Sequence, residues 1–212
     1  MTLETNKTLG GVGALLMVIT PVAGYAGGLF TGILWLVGLI LVLIAMKGLA
    51  DHYSEGGIFN NTLYGVILTI IGVIAFIATI IIAAGSFLMD FGTDWETLST
   101  DPSAIANMDW TQLTNFDTIW NSISTVLIGA VILFVFAVIA SIFYKKSLDS
   151  LAKKTNVGLF GTTGLILLIG AVLTILAVGF ILIWVAGILL TIAFFSIKPE
   201  PVQPLQPPPP TT

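Results

Sequence analysis

From Leu9 to Met46 the chain reads LGGVGALLMVITPVAGYAGGLFTGILWLVGLILVLIAM, 38 residues without a charged side chain. As one α-helix rising about 1.5 Å per residue it would be about 57 Å long. The hydrocarbon core of a bilayer is only about 30 Å thick. The stretch must therefore fold back. Its central breaker is Pro21-Val22-Ala23-Gly24, which predicts a tight helical hairpin with spans at 8–23 and 26–47. Thr155 to Ile197 is a second charge-free stretch, interrupted at Ala177-Val178-Gly179. It predicts another hairpin, with spans at 156–176 and 179–197. Between them, Ile58–Met89 and Asn121–Tyr144 also carry no charge. They read as single spans at 61–88 and 121–144.

The expected fold class is therefore all-α: a polytopic integral membrane protein with six transmembrane helices and two tight helical hairpins. Residues 1–198 form the transmembrane domain, with the loop 90–120 inserted between spans three and four. Residues 199–212 hold seven of the nine prolines. They form a separate tail that favours polyproline II. Four spans with re-entrant segments are the alternative topology.

Composition excludes other classes. Of 212 residues, 57% are hydrophobic and only 8% charged. A soluble domain carries about 25% charged residues, because polar surface must face water. No basic patch exists to meet nucleic acid. The absence of cysteine removes disulfides, thiolate metal sites and cysteine nucleophiles. No cleavable leader is expected, since the first apolar run passes straight into a second.

The basic residues orient the chain. All seven are lysines: Lys7, Lys47, Lys145, Lys146, Lys153, Lys154 and Lys198. With the N-terminus inside, every one falls on the cytoplasmic side, as the positive-inside rule requires. Both termini are then cytoplasmic in the cell membrane, and loop 90–120 is extracellular. That loop holds six acids and no base.

Chemistry is sparse within the spans. No charged side chain interrupts them, which argues against ion-coupled transport. The hydroxyls Thr31, Thr69, Thr79, Ser141, Thr163, Thr174 and Thr191 read as groups bonded to their own or neighbouring helices. Gly24, Gly28 and Gly32 repeat on one helix face and point to close packing. A weak internal repeat aligns Ile33–Leu41 with Leu182–Leu190, pairing Trp35 with Trp184 and Gly38 with Gly187. Those two glycines are also assigned to helix packing.

Loop 90–120 carries Asp-Trp-x-x-Leu twice, at Asp94-Trp95 and Asp109-Trp110. Aspartate is a good helix N-cap, and Trp and Leu three apart share a face. Short amphipathic helices at the outer interface are expected, with Trp95, Trp110 and Trp120 at headgroup depth. Trp95, Trp110, Trp120, Asp94 and Asp109 are the candidate partner interface. A metal site at Asp90, Asp94, Glu96 and Asp109 is the weaker alternative, because their spacing matches no known ligand pattern. His52 has no histidine or cysteine to share a metal with and reads as a loop residue. No catalytic, cofactor or metal site is assigned.

Four stretches carry a resemblance: Lys7-Thr8-Leu9-Gly10-Gly11-Val12-Gly13, Leu39 to Asp51, Ile58-Phe59-Asn60-Asn61, and Ala193-Phe194-Phe195-Ser196-Ile197. Together they resemble the archaeal and bacterial membrane-protein family known as domain of unknown function 996. The resemblance implies a small polytopic membrane protein, mostly archaeal, and carries over no catalytic residue. The leading functional expectation is a non-catalytic accessory or scaffold subunit of a larger membrane assembly. Its partners would be the lipid bilayer and other membrane subunits, with a homo-oligomer as a further arrangement. The alternative is a small homo-oligomeric channel or carrier for a neutral solute. A lipid-acting enzyme ranks last.

Overall fold

A computed structural model of the chain describes residues 2–27 and 29–198, apart from the side chains of 22–31. The proline-rich tail and Gly28 lie outside the described residues, as do the surroundings of Gly24. All regular structure among the described residues is helical. The long helices are α1 (Leu3–Gly27), α2 (Leu29–His52), α3 (Gly56–Asp90), α5 (Phe116–Thr155), α6 (Leu159–Leu173) and α7 (Gly179–Phe195). Between α3 and α5 stand α4 (Trp95–Thr100) and two short 3-10 helices, Pro102–Asn107 and Trp110–Thr114. Among the described residues, four helical segments are long and apolar enough to cross a membrane: Gly32–His52, Gly56–Asp90, Phe116–Thr155 and Leu159–Leu176. The shorter α7 is also apolar.

Pro21 does not break α1, which continues to Gly27. α1 therefore runs on past the Pro21–Gly24 stretch, and α2 starts at Leu29. A proline costs a helix one N–H bond, but neighbouring helices tolerate and support such a helix inside a membrane. At the other hairpin the chain passes from α6 through a 3-10 turn, Thr174–Leu176, to Ala177 at φ 59°. α7 then starts at Gly179.

The six long helices alternate in direction and close into a ring. α1 packs on α2, α2 on α3, α3 on α5, α5 on α6, α6 on α7, and α7 back on α1. The contacts show that neighbours are antiparallel. Asn6 lies against Gly48 while Gly13 lies against Gly38. Thr62 bonds Ser147 while Thr79 abuts Gly129. Gly10 faces Phe194 while Trp184 donates to the Val18 carbonyl. The ring is thus three hairpins, α1–α2, α3–α5 and α6–α7. Trp35 and Trp184, the pair in the repeat, occupy its first and third hairpins.

One end of the ring gathers the start of α1, the end of α7 and the lysines. Its buried core includes Met46, Leu49, Ile58, Leu151, Phe160, Phe194 and Ile197. Lys154 pairs with Glu55 at 3.5 Å, Lys47 with Asp51 at 2.8 Å, and Lys145 with Asp149. Ser147 and Thr62, both buried, lie within hydrogen-bond distance of the Ile58 carbonyl and of each other, so that their two protons serve three contacts. Asn6 is fully buried against Gly48, and its side-chain amide makes no hydrogen bond among the described residues.

The hairpins differ in height. α3 and α5 have 35 and 40 residues, against 15 and 17 in α6 and α7. Gly164 packs on Lys145. From there α5 runs 29 residues back to Phe116, whereas the α6 side reaches Ala177 in 13. The α3–α5 pair therefore stands about 24 Å beyond that turn. Its projecting part exposes Ile81, Ile82, Ile128 and Val131 and carries the acidic loop.

Candidate functional site

All six long helices line a partly open cavity of about 550 Å³ within the ring. α1 supplies Met17, Val18 and Pro21, and α2 supplies Trp35, Leu39 and Met46. α3 gives Thr62, Val66 and Thr69, and α5 gives Ala137, Ala140, Ser141, Tyr144 and Leu148. α6 adds Thr163, Leu167 and Ala171, and α7 adds Phe180, Trp184 and Gly187. No charged residue is among the described residues of the wall. A cavity of this size falls within the range of about 300–1,000 Å³ for small-molecule sites, which are typically apolar with a few placed polar groups. The lining run of α5, Ala137 to Leu148, is eleven residue steps, about 17 Å of helix.

The polar groups of the wall are hydroxyls and indoles. Thr69 donates to Gly65, Ser141 to Val138 and Thr163 to Leu159. The Tyr144 hydroxyl lies 3.2 Å from Thr69 Oγ1. Because the Thr69 proton is directed to Gly65, Tyr144 is the donor of that pair. Trp184 Nε1 donates to the Val18 carbonyl at 3.0 Å. Thr69, Ser141 and Thr163 thus bond back to their own helices, as read from the sequence, and keep acceptor lone pairs.

The five candidate interface residues of the acidic loop lie at the far end of the α3–α5 pair. Each aspartate of the repeated motif caps a helix. Asp94 Oδ1 accepts from Thr97 N at 2.7 Å, and Asp109 Oδ1 accepts from Thr111 N at 3.1 Å. Asp101 does the same for Ser103 at 3.0 Å. These bonds hold all three carboxyls below the usual aspartate range. The main causes are the Thr97 backbone N–H at Asp94, the Ser103 hydroxyl at Asp101 and the Gln112 amide at Asp109. Trp110 meets the buried Phe91 edge-on at 5.7 Å, and Trp120 stacks on Phe116 at 6.0 Å. Trp95, Trp110 and Trp120 each remain about half exposed. No three acidic, histidine or cysteine side chains among the described residues form a metal-binding group. That leaves Asp90, Asp94, Glu96 and Asp109 apart as ligands.

The packing glycines behave differently from one another. A Cβ on Gly38 would lie 2.6 Å from the Gly13 carbonyl oxygen, and one on Gly187 would lie 2.8 Å from Val18 Cγ2. At Gly32 it would meet nothing within 4 Å among the described residues. His52 lies edge-on to Tyr53 at 4.8 Å and borders a surface groove with Lys47, Asp51 and Phe59 at the lysine end.

Tyr144 was not singled out by the sequence as a site residue. The available signal was Ala137, Ala140, Ser141, Tyr144 and Leu148, which recur at three- and four-residue steps on one face of α5.

These features define an all-helical protein that has, among the described residues, four helices long and apolar enough to cross a membrane. The chain belongs to the family described as protein of unknown function DUF996, whose model matches residues 34–188. It is 32% identical over 200 residues to an uncharacterised protein of Methanocaldococcus jannaschii, covering 94% of this chain and 96% of that one. No solved structure matches it.

Proposed function

We propose that the protein spans the cell membrane six times, with both termini cytoplasmic, and binds or carries a neutral, largely apolar molecule in its central cavity. One observation carries this reading: six helices close around a space with no charged group among the described residues of its wall. Helices that packed only for structure would fill that centre with side chains. The wall cannot compensate a buried ion, so a charged cargo is disfavoured. No catalytic step is part of the proposal.

The test is retention. Protein purified in mild detergent is extracted with organic solvent, and the extract is weighed by mass spectrometry. A neutral molecule in near-stoichiometric amount is expected from the parent chain. Ala137→Phe, which fills the cavity from α5, should lose it. Equal recovery from both, or none from either, overturns the reading.

A second reading is an accessory subunit of a larger membrane assembly. The projecting α3–α5 pair favours it, because its half-exposed Trp95, Trp110 and Trp120 stand clear of the ring. Rigid aromatics of this kind are frequent interface anchors. Trp95→Ala with Trp110→Ala should then release a co-purifying subunit from a body that remains folded. Retention of every partner would remove that reading.

A further inference from the structure

The proton inventory of the cavity wall narrows the ligand. The Thr69, Ser141 and Thr163 protons go to carbonyls of their own helices. Thr62 and Ser147 share theirs between each other and Ile58. The Tyr144 proton goes to Thr69, and the Trp184 N–H to Val18. What these groups still present is lone pairs, and each hydroxyl can accept further bonds. The Trp35 indole N–H, also in the wall, makes no hydrogen bond among the described residues.

We infer that the cavity takes a neutral single-chain molecule headed by a hydroxyl, with that head at the Tyr144–Thr69 pair. This rests on the reading of the cavity as a solute site. A hydroxyl donates to the lone pairs of Tyr144 or Thr69 without breaking the bonds that hold them. A ketone or ester offers no proton to the hydroxyl lone pairs. A carboxylate brings a charge into a wall whose described residues hold no cation to pair with it. The apolar remainder of the wall, from Val66 and Leu167 to Phe180, suits an alkyl or isoprenoid chain.

Trp35 and Trp184 report occupancy directly. In a chain carrying Trp95→Phe, Trp110→Phe and Trp120→Phe, they are the only indoles left. A long-chain alcohol brominated along its chain should quench their emission saturably in detergent solution. Its methyl ether, of the same chain, keeps the oxygen but lacks the proton and should bind about tenfold more weakly, the loss of one good hydrogen bond. The matching fatty acid at neutral pH should bind more weakly still. Thr69→Val with Tyr144→Phe should bring alcohol and ether to equal affinity while quenching remains saturable. Equal affinity in the parent chain overturns the hydroxyl assignment and leaves the cavity reading standing. Quenching that never saturates with any of the chains overturns both. If the double variant fails to fold, the alcohol–ether ratio in the parent chain decides alone.

Discussion

Gly38 and Gly13 show what a single hydrogen atom in place of a side chain does. Each would put a Cβ 2.6 Å from the other's carbonyl oxygen. That obstacle is backbone, so it cannot rotate away. Gly38→Val should therefore push α1 from α2 and destabilise the protein by about 1–3 kcal/mol, the usual range for overpacking. Gly32→Val should be near neutral, because no described residue stands within 4 Å of its Cβ. Denaturation in detergent of the two variants side by side measures the difference. Ala177 makes the opposite case. Its φ of 59° is left-handed, which costs a non-glycine residue about 1–2 kcal/mol. Ala177→Gly should raise stability, offset in part by greater freedom of the unfolded chain. Gly38 was legible from its repeat with Gly187, since paired small residues among apolar ones mark close helix approach. Ala177 was legible only as part of a turn. Nothing in Ala-Val-Gly tells which of the three residues adopts the left-handed conformation.

The acidic loop was the most readable element, because a helix cap is local chemistry. Asp94, Asp101 and Asp109 each lie within three residues of the N–H they satisfy, and Asp followed by a helix-compatible turn is enough to find them. The stretch around Pro21 was least readable, because a proline's effect depends on neighbours that a single run of sequence does not contain. α5 also outran its expected limits. A span ending at Tyr144 follows the hydrocarbon thickness, but nothing between Tyr144 and Thr155 stops a helix. It ends only at Asn156, which is left-handed. The caps make a pH prediction. Their carboxyls titrate below the ordinary 3.8. A group whose acidity is strengthened by folding stabilises the fold above its unfolded value, and that contribution is lost as pH falls through the folded value. The loop should therefore keep its caps at neutral pH and fray only below 3.8. Hydrogen exchange at the amides of Thr97, Ser103 and Thr111, corrected for intrinsic rates, would follow it. In Asp94→Asn the cap survives without a proton to bind, and Thr97 protection should no longer change with pH in that window.

At the scale of the whole molecule, the run lengths anticipated the six long helices but could not foretell that they close into a ring. Helices that are apolar on nearly every side carry no stripe that tells the inward face from the lipid face. The cavity, and Tyr144 with it, is a product of that closure. The alternation of directions, by contrast, turns a sequence rule into a three-dimensional test. Because neighbouring helices are antiparallel, Lys7, Lys47, Lys145 and Lys154 share the end where Asn6 meets Gly48 and Lys154 meets Glu55. The aspartates from Asp90 to Asp117 lie at the opposite end. Lysines near span ends are retained on the cytoplasmic side during insertion, whereas acidic residues have little influence. The lysine end should therefore face the cytoplasm. Thr5 and Ser99 are exposed and lie at opposite ends. The chain has no cysteine of its own, so Thr5→Cys and Ser99→Cys each create a single reactive site. On intact cells a membrane-impermeant maleimide should label Ser99→Cys at once. It should label Thr5→Cys only after the cells are opened. The reverse pattern would place the lysines outside and overturn the orientation. Prompt labelling of both would mean that the two ends share one side and would overturn the proposed six-span topology.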